Sequence, residues 1–511
     1  MNIQRTRRAG RRGHGADAPS RNVSYNRLTN PYQPQPLYSG DQIERLHQAS
    51  LEVLADPGIR VLLPRAREAY RKAGCIVDDD SMMVRIGADV IEAAIESAPR
   101  SFELQASSPE KIMHLGGKSL NFLPVGGPPG FSDLDRGKQT GTRAAAQAFL
   151  KLCQHFDVMH AAGPCVELQD VALNQRHLWG KFDHLTLTNK PVFTWARGTP
   201  QSMDGFEMIR IARGVSHDEF RQKHHTYTVI NTNSPLQLDI PMLNGLMDFA
   251  EYNQVVIITP FTLAGAMAPV TIAGALVLQH AEFLAALTIN QLVRPGAPVV
   301  YGAFTSNVDM KSGSPAFGTP EYVKASWGAG QLARKLGFPW RSSAPTASNA
   351  PDAQGAYETQ LSLWGAIQGG ANLVVHTAGW LEGGLTASYE KFILDVEVAQ
   401  MIAELCQPTP FDEAELAIDA IREVGPGGHF FGCQHTMERF ATAFYKPLVS
   451  DWSNFGQWTE HGALTATQRA NRLWKQIVAE FEPPAQDPAI REELKAYVER
   501  RIAEGGALPE S

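Results

Sequence analysis

The chain has 511 residues, 43% hydrophobic and 19% charged, which is enough for a large core and too long for one average domain. Its 46 basic side chains against 53 acidic ones leave a net charge of −7, which argues against a general nucleic-acid surface. Five cysteines (Cys75, Cys153, Cys165, Cys406 and Cys433) form no CxxC pair, so they fit the reduced thiols of a cytoplasmic protein.

At the amino end, Arg5, Arg7, Arg8, Arg11, Arg12 and Arg21 face only Asp17, and no apolar run follows as a secretory signal requires. Residues 1–38 are expected to form a disordered basic arm, suited to steering toward an acidic partner. A helical region is expected over 39–118. In it, Ser39-Gly40-Asp41 can cap a helix whose apolar face holds Ile43, Leu46, Leu51, Val53 and Leu54. A second helix is expected from about Gly87 to Ser97.

From Leu120 the rhythm changes to a short apolar run, a Gly/Pro turn and a long helix. The runs are Leu120–Val125, Val158–Val166, Pro191–Ala196, Tyr227–Asn231, Val255–Thr259, Pro298–Ala303, Phe338–Ser342 and Leu373–His376. Strands alternating with helices predict parallel pairing, and eight units are the number that closes a (β/α)8 TIM barrel. The barrel is placed at 119–408, with a helical C-terminal extension over 409–511. A doubly wound open sheet is the competing fold, but no GxGxxG follows a predicted strand and no GxxxxGK[ST] loop occurs. The uncharged stretch Val255–Ala281 has the length of a bilayer span. Pro260, Gly265 and Pro269 interrupt it, so it reads as strand, loop and core helix, with no membrane association.

Barrel chemistry sits at the C-terminal strand ends. Those ends carry Trp195 and Arg197, Asn231 and Asn233, Thr259 and Phe261, Tyr301 and Phe304, Ser342 and Ser343, and His376. His376 closes a buried strand and is expected to face the mouth; the competing reading is a core histidine bonded to a carbonyl. Asp352, Gln354 and Glu358 open the seventh helix, where Asp352 suits a cap. Asp133 and Asp135 suit a turn. His429, Cys433 and His435 form H-x3-C-x-H, but the spacing fits no common zinc pattern and follows a Gly-rich loop, so packing is preferred over metal binding.

Several stretches together carry a family likeness. They are Ala268-Pro269-Val270-Thr271-Ile272-Ala273-Gly274, Gln291 to Pro298, Asp309 to Ala316, Pro351-Asp352-Ala353-Gln354, His376 to Leu385, Gly427-Gly428-His429-Phe430 and His435-Thr436. From about residue 40 the chain resembles the trimethylamine methyltransferase superfamily, in particular its non-pyrrolysine branch with the glycine betaine:corrinoid methyltransferases. The resemblance implies a barrel that hands a methyl group from a methylated amine to the Co(I) of a corrinoid carried by a separate partner protein, with no metal bound directly. The pyrrolysine-equivalent position falls near Asn349, and this chain has only standard residues, which points to a quaternary amine such as glycine betaine.

Under that resemblance His376, Asn349 and Glu358 are the expected catalytic residues. Trp195, Arg197, Tyr301, Phe304 and Trp380 are expected to bind substrate, the aromatics by cation–π contact and Arg197 by holding a carboxylate. His376, Asp352 and Gln354 are expected at the corrinoid. Two other functions compete: a zinc-dependent barrel methyltransferase with another methyl donor, and a non-catalytic barrel that binds quaternary amines. Self-association of the chain is left open.

Overall fold

The computed structural model describes residues 23–510, so Arg5, Arg7, Arg8, Arg11, Arg12 and Arg21 lie outside the described residues, whereas residues 23–38, expected to belong to the disordered arm, are described and include the strand Leu28–Thr29 paired to the main sheet. The chain divides into two compact units: Tyr25–Cys406 with Leu448–Ser511, and a smaller one that includes Gln407–Pro447. The smaller unit carries the short helices Glu413–Leu416, Ile418–Val424 and Gln434–Arg439. The stretch expected to form one extension from residue 409 is therefore split at Pro447.

The larger unit is built on a curled sheet of eight strands. Seven of them are parallel: β1 (Ser119–Pro124), β2 (Val192–Phe193), β3 (Thr226–Thr232), β4 (Val255–Pro260), β5 (Val299–Gly302), β6 (Trp340–Ser343) and β7 (Leu373–Ala378). They pair in chain order from β2 to β7, and β7 then pairs with β1, so the last strand returns to the first. The eighth strand is Leu28–Thr29, antiparallel on the outer edge of β1.

One expected strand is missing. The run at Val158–Val166 forms no ladder, because the groups that would pair are already taken. His160 N donates to Phe122 O at 2.9 Å, but Phe122 N donates to the His160 ring at Nδ1, also 2.9 Å. A side chain thus replaces half of the ladder, and Pro164, four residues on, has no N–H to extend it. With Nδ1 accepting, the ring proton is on Nε2, which donates to Tyr25 O at 2.8 Å. Burial lowers the His160 pKa to about 4, keeping the ring neutral as this arrangement needs.

Strand alternation separates two cores. Leu123, Phe193, Tyr227, Val255, Ile257, Val300, Leu373 and Val375 cluster inside the curl, while Phe122, Val256, Ile258, Val299, Tyr301 and Val374 join the outer core beneath the helices. The inner cluster also takes Phe102, Leu104, Met113 and Leu115 from a hairpin (Phe102–Leu104 with Met113–Leu115). Gln105 N bonds His224 O, just before β3, and Ser107 N bonds Asn189 O, just before β2. The hairpin therefore closes the amino-terminal end of the curl. The region expected to be helical over 39–118 contains this hairpin and a second small sheet besides its helices.

Among the described residues, Ile272–Val293 is the one helix long and apolar enough to cross a membrane, and 78% of its most apolar window is buried inside the protein. It is apolar all round because Gly40–Ala55, Pro64–Lys72 and Ala88–Ser97 cover its outer face. Ser39 closes the first of these with a capping box to Gln42, as its sequence predicts.

Candidate functional site

At the carboxyl ends of the strands opens a cavity of about 630 Å³, lined from β1, the 158–165 segment, β2, β3, β4, β6, β7 and the loops that follow β1, β2, β3, β4, β5 and β7. Its floor is the inner core, including Phe193, Tyr227, Val229 and Val375. Its walls include Trp195, Phe261, Phe304 and Trp380. Phe304 is the centre of the aromatic wall: Phe261 lies 5.2 Å from it, Phe317 stacks on it at 5.2 Å, and Trp380 meets it edge-on at 6.1 Å.

His376 lies in the cavity wall, two residues inside the end of β7, which runs on to Ala378 rather than closing at His376. Its φ of +60° lies in the left-handed region, uncommon for a residue with a side chain and frequent at functional sites. The pairing of β7 with β1 shifts register between Val374 and Ala378, so the chain turns out of the sheet here. The ring packs 4.0 Å from Trp380 and 5.8 Å from Phe304. Its Nδ1 is buried without a hydrogen-bond partner, and so is Trp380 Nε1. The reading of a core histidine bonded to a carbonyl is thus not met at Nδ1.

Burial, and secondarily Arg341, hold the His376 pKa well below the usual imidazole value. The ring is therefore neutral throughout the neutral range, and we predict no His376 titration step between pH 6 and 8 in ring nitrogen NMR shifts. A step near pH 6.5 assigned to this ring by its loss in His376→Gln would refute this.

Tyr301 does not line the cavity. It is next to Val300 and Gly302, and alternation turns it outward, where its hydroxyl accepts from Gln279 at 2.8 Å and meets His280 Nδ1 at 2.9 Å. Arg197 is also elsewhere. It ion-pairs with Glu167 at 2.7 Å, lies 4.0 Å over the Trp195 ring and lines a smaller cavity of about 70 Å³. Its charge is already met, so it is not a free carboxylate holder.

Asn349 is exposed on the loop after β6 and does not reach the cavity. Asp352 caps the helix Ala353–Gln368 by accepting from Gly355 N at 3.2 Å, and Gln354 donates to Glu358 at 2.8 Å. Glu358 is buried behind the same loop. It accepts from Ala347 N at 2.9 Å, Ser348 N at 3.1 Å and the Thr346 hydroxyl. The three residues from the seventh helix thus hold a rim loop and do not face the cavity.

The same device recurs around the rim. Glu282, whose pKa burial raises, accepts from Ser234 Oγ at 2.7 Å, Leu236 N at 2.8 Å and the Thr232 hydroxyl after β3. Asp395, its pKa raised by burial and opposed by Lys391, takes Gly379 N at 2.9 Å after β7. Buried carboxylates on the packing helices thus fix three loops at the carboxyl ends of the strands, of which those after β3 and β7 line the cavity.

Sequence reasoning missed Arg341, which enters the cavity wall from β6. Register was the available signal. Arg341 pairs with Gly302 and with Leu373, and Leu373 points into the inner core. No aspartate or glutamate lines this cavity among the described residues.

His429, Cys433 and His435 belong to the smaller unit, where Cys433 Sγ lies 3.3 Å from Thr436 Oγ1. Among the described residues no group of three or more His, Cys, Asp or Glu is arranged to hold a metal ion. All five cysteines are free, with Cys153 and Cys165 3.9 Å apart at sulfur.

A family model described as trimethylamine methyltransferase (MTTB) matches residues 4–506. A glycine betaine methyltransferase of Desulfitobacterium hafniense (strain Y51) is 36% identical over 468 residues, covering 91% of this chain and 97% of the relative. The trimethylamine methyltransferase MttB of D. hafniense (strain DSM 10664 / DCB-2) is 29% identical over 473 residues, covering 92% and 94%. Among solved structures, the monomethylamine methyltransferase MtmB of Methanosarcina barkeri has a TM-score of 0.50 at 12% identity, over 90% of this chain and 89% of that one; this is a likeness of fold.

Proposed function

We propose, from the premise that this chain belongs to the trimethylamine methyltransferase family, that it takes a methyl group from a betaine-type quaternary amine and passes it to the corrinoid of a separate protein. Glycine betaine is the substrate favoured by the name of the 36% identical relative. This reading takes the curled sheet as a (β/α)8 barrel, the 158–165 segment filling the place of the eighth strand.

One observation carries it: the cavity is walled by aromatic rings and has no carboxylic acid among the described residues that line it. A trialkylamine can leave a quaternary nitrogen without help from an acid, because the C–N electron pair neutralises the nitrogen's charge as the bond breaks. A protonated or neutral methylamine needs its proton managed, and nothing acidic in this wall manages one. Aromatic faces contribute roughly 0.5–2 kcal/mol each toward a desolvated cation. Trp195, Phe261, Phe304 and Trp380 are the faces proposed to do so.

The reduced corrinoid supplies the nucleophile that accepts the methyl group. On this chain's side, the buried and unpartnered His376 Nδ1 and Trp380 Nε1 are polar atoms suited to an amide-rich macrocycle at the mouth. We assign His376 the contact with the corrinoid. Asp352 and Gln354 shape the adjoining rim through the loop they hold. What the protein adds is placement: a dry wall for the ammonium, one methyl directed outward, and rim loops fixed before the partner arrives.

The test is methylation of a reduced corrinoid by the purified chain, followed by its absorbance change, with glycine betaine, choline, tetramethylammonium and trimethylamine as donors. Transfer from glycine betaine and none from trimethylamine is expected. Transfer from trimethylamine alone would reverse the reading, and no transfer from any donor would leave a binding protein.

A further inference from the structure

We propose that Arg341 is the anchor of the substrate's carboxylate, so that the cavity selects a small zwitterion and disfavours a quaternary cation without an anion. This deepens the methyl-transfer reading of the cavity and rests on it.

Five lysines and arginines are buried among the described residues: Arg67, Lys181, Lys190, Arg341 and Lys391. Four are satisfied within the fold. Arg67 reaches Asp79 and two carbonyls, Lys190 collects three carbonyls at 2.5–2.8 Å, Lys181 bonds Thr194 and Phe193 O, and Lys391 pairs with Asp395. Arg341 is the exception. It is 2% exposed, its Nε is buried without a partner, and the hydrogen bond its guanidinium makes is a long one, 3.4 Å from Nη1 to Ala303 O. No carboxylate among the described residues ion-pairs with it.

A guanidinium in this condition is costly unless something neutralises it. Burial lowers its pKa to about 10, so it remains charged at neutral pH. The neighbouring His376 supplies no counter-charge in either protonation state, and Arg341 disfavours its cationic form. Behind it lie the Ala303 carbonyl and the buried Tyr322, whose phenol burial keeps protonated and uncharged; on the cavity side lies Phe304, whose centroid is 5.4 Å from the guanidinium. A ligand that brings its own carboxylate completes the site, with the fork of N–H donors matched to two oxygens.

The same charge repels a bare ammonium. Phe304 has the Arg341 guanidinium 5.4 Å from its centroid and Trp380 edge-on at 6.1 Å. The aromatic face for the cation and the donor for the anion therefore share one wall, which suits a molecule whose two charges are close together. Arg197, the arginine that sequence position favours for this task, is neutralised by Glu167.

Calorimetric titration of the chain, with no corrinoid present, tests this directly. Glycine betaine and tetramethylammonium are titrated into wild type, Arg341→Met and Arg341→Lys. Arg341→Met is expected to weaken glycine betaine at least about 30-fold while tetramethylammonium binds as well as, or better than, it does to wild type. Arg341→Lys should recover part of the betaine affinity, since charge returns without the fork. Undiminished betaine binding by Arg341→Met overturns the proposal, and so does an equal loss of both ligands, which marks a packing role. Because binding is read without turnover, selective binding with no methyl transfer would defeat the function proposed above and leave the anchor standing.

Discussion

Trp380→Ala is expected to raise the KM for glycine betaine about 10- to 100-fold, the equivalent of roughly 1.4–2.8 kcal/mol. The indole supplies a face of the cavity, supports His376 from 4.0 Å and meets Phe304 edge-on, so its loss removes a cation-binding surface and loosens two others. Gly384 is fitted against it: a Cβ there would stand 2.5 Å from the indole, and Gly383 and Gly384 offer no side chain to fill the vacated space. Trp380→Phe keeps a ring and loses the unpartnered Nε1, and should stay within a few-fold of wild type for betaine. Steady-state kinetics with a reduced corrinoid acceptor, at matched circular dichroism, measures both. A KM unchanged in Trp380→Ala would remove the indole from substrate binding.

Glu358→Ala is expected to cost about 3–5 kcal/mol of stability, read from denaturant unfolding. The carboxylate is buried and gathers two backbone amides, the Thr346 hydroxyl and the Gln354 amide. Its removal strands the two buried donors, the Thr346 hydroxyl and Ser348 N, at about 1–3 kcal/mol each, while the exposed Gln354 amide can turn to water. Gly318 packs against the same side chain, at a φ of +70°, with no room for a Cβ. Glu358→Gln keeps an oxygen and should lose less. The local signature is faster amide exchange at Ala347 and Ser348, and if those amides stay protected in Glu358→Ala the carboxylate is not what holds the loop.

The alternation of strands and helices was plain because each buried parallel strand is a continuous apolar run, and the runs from β3 to β7 sit where those runs predict. The 158–166 run misleads for a specific reason. Apolar composition marks burial, whereas pairing depends on free backbone groups, and the His160 ring had taken one of them. In the site, residues near or just past the strand ends were legible: His376, within β7, and Trp195, Phe304 and Trp380, beyond their strands, all reach the cavity. Residues within a strand need its register. Tyr301 and Arg341 both lie near strand ends, yet one faces the helices and the other the cavity. Arg197 shows a different limit, since its partner Glu167 lies thirty residues earlier and no local pattern links them. Asp352 was legible as a cap because first-turn acids carry that meaning anywhere.

Among the described residues, the hairpin plugs the amino-terminal end of the curl and the cavity lies at the carboxyl ends of the strands, which is where a ligand enters. For the methyl transfer proposed above, between a small donor and a bulky acceptor, this imposes a queue: the donor has to be seated before the acceptor covers the entrance. The spent amine is then sealed in until the acceptor departs. Raising acceptor concentration in the assay should therefore slow turnover once it outruns loading of the donor, an inhibition that saturating amine relieves.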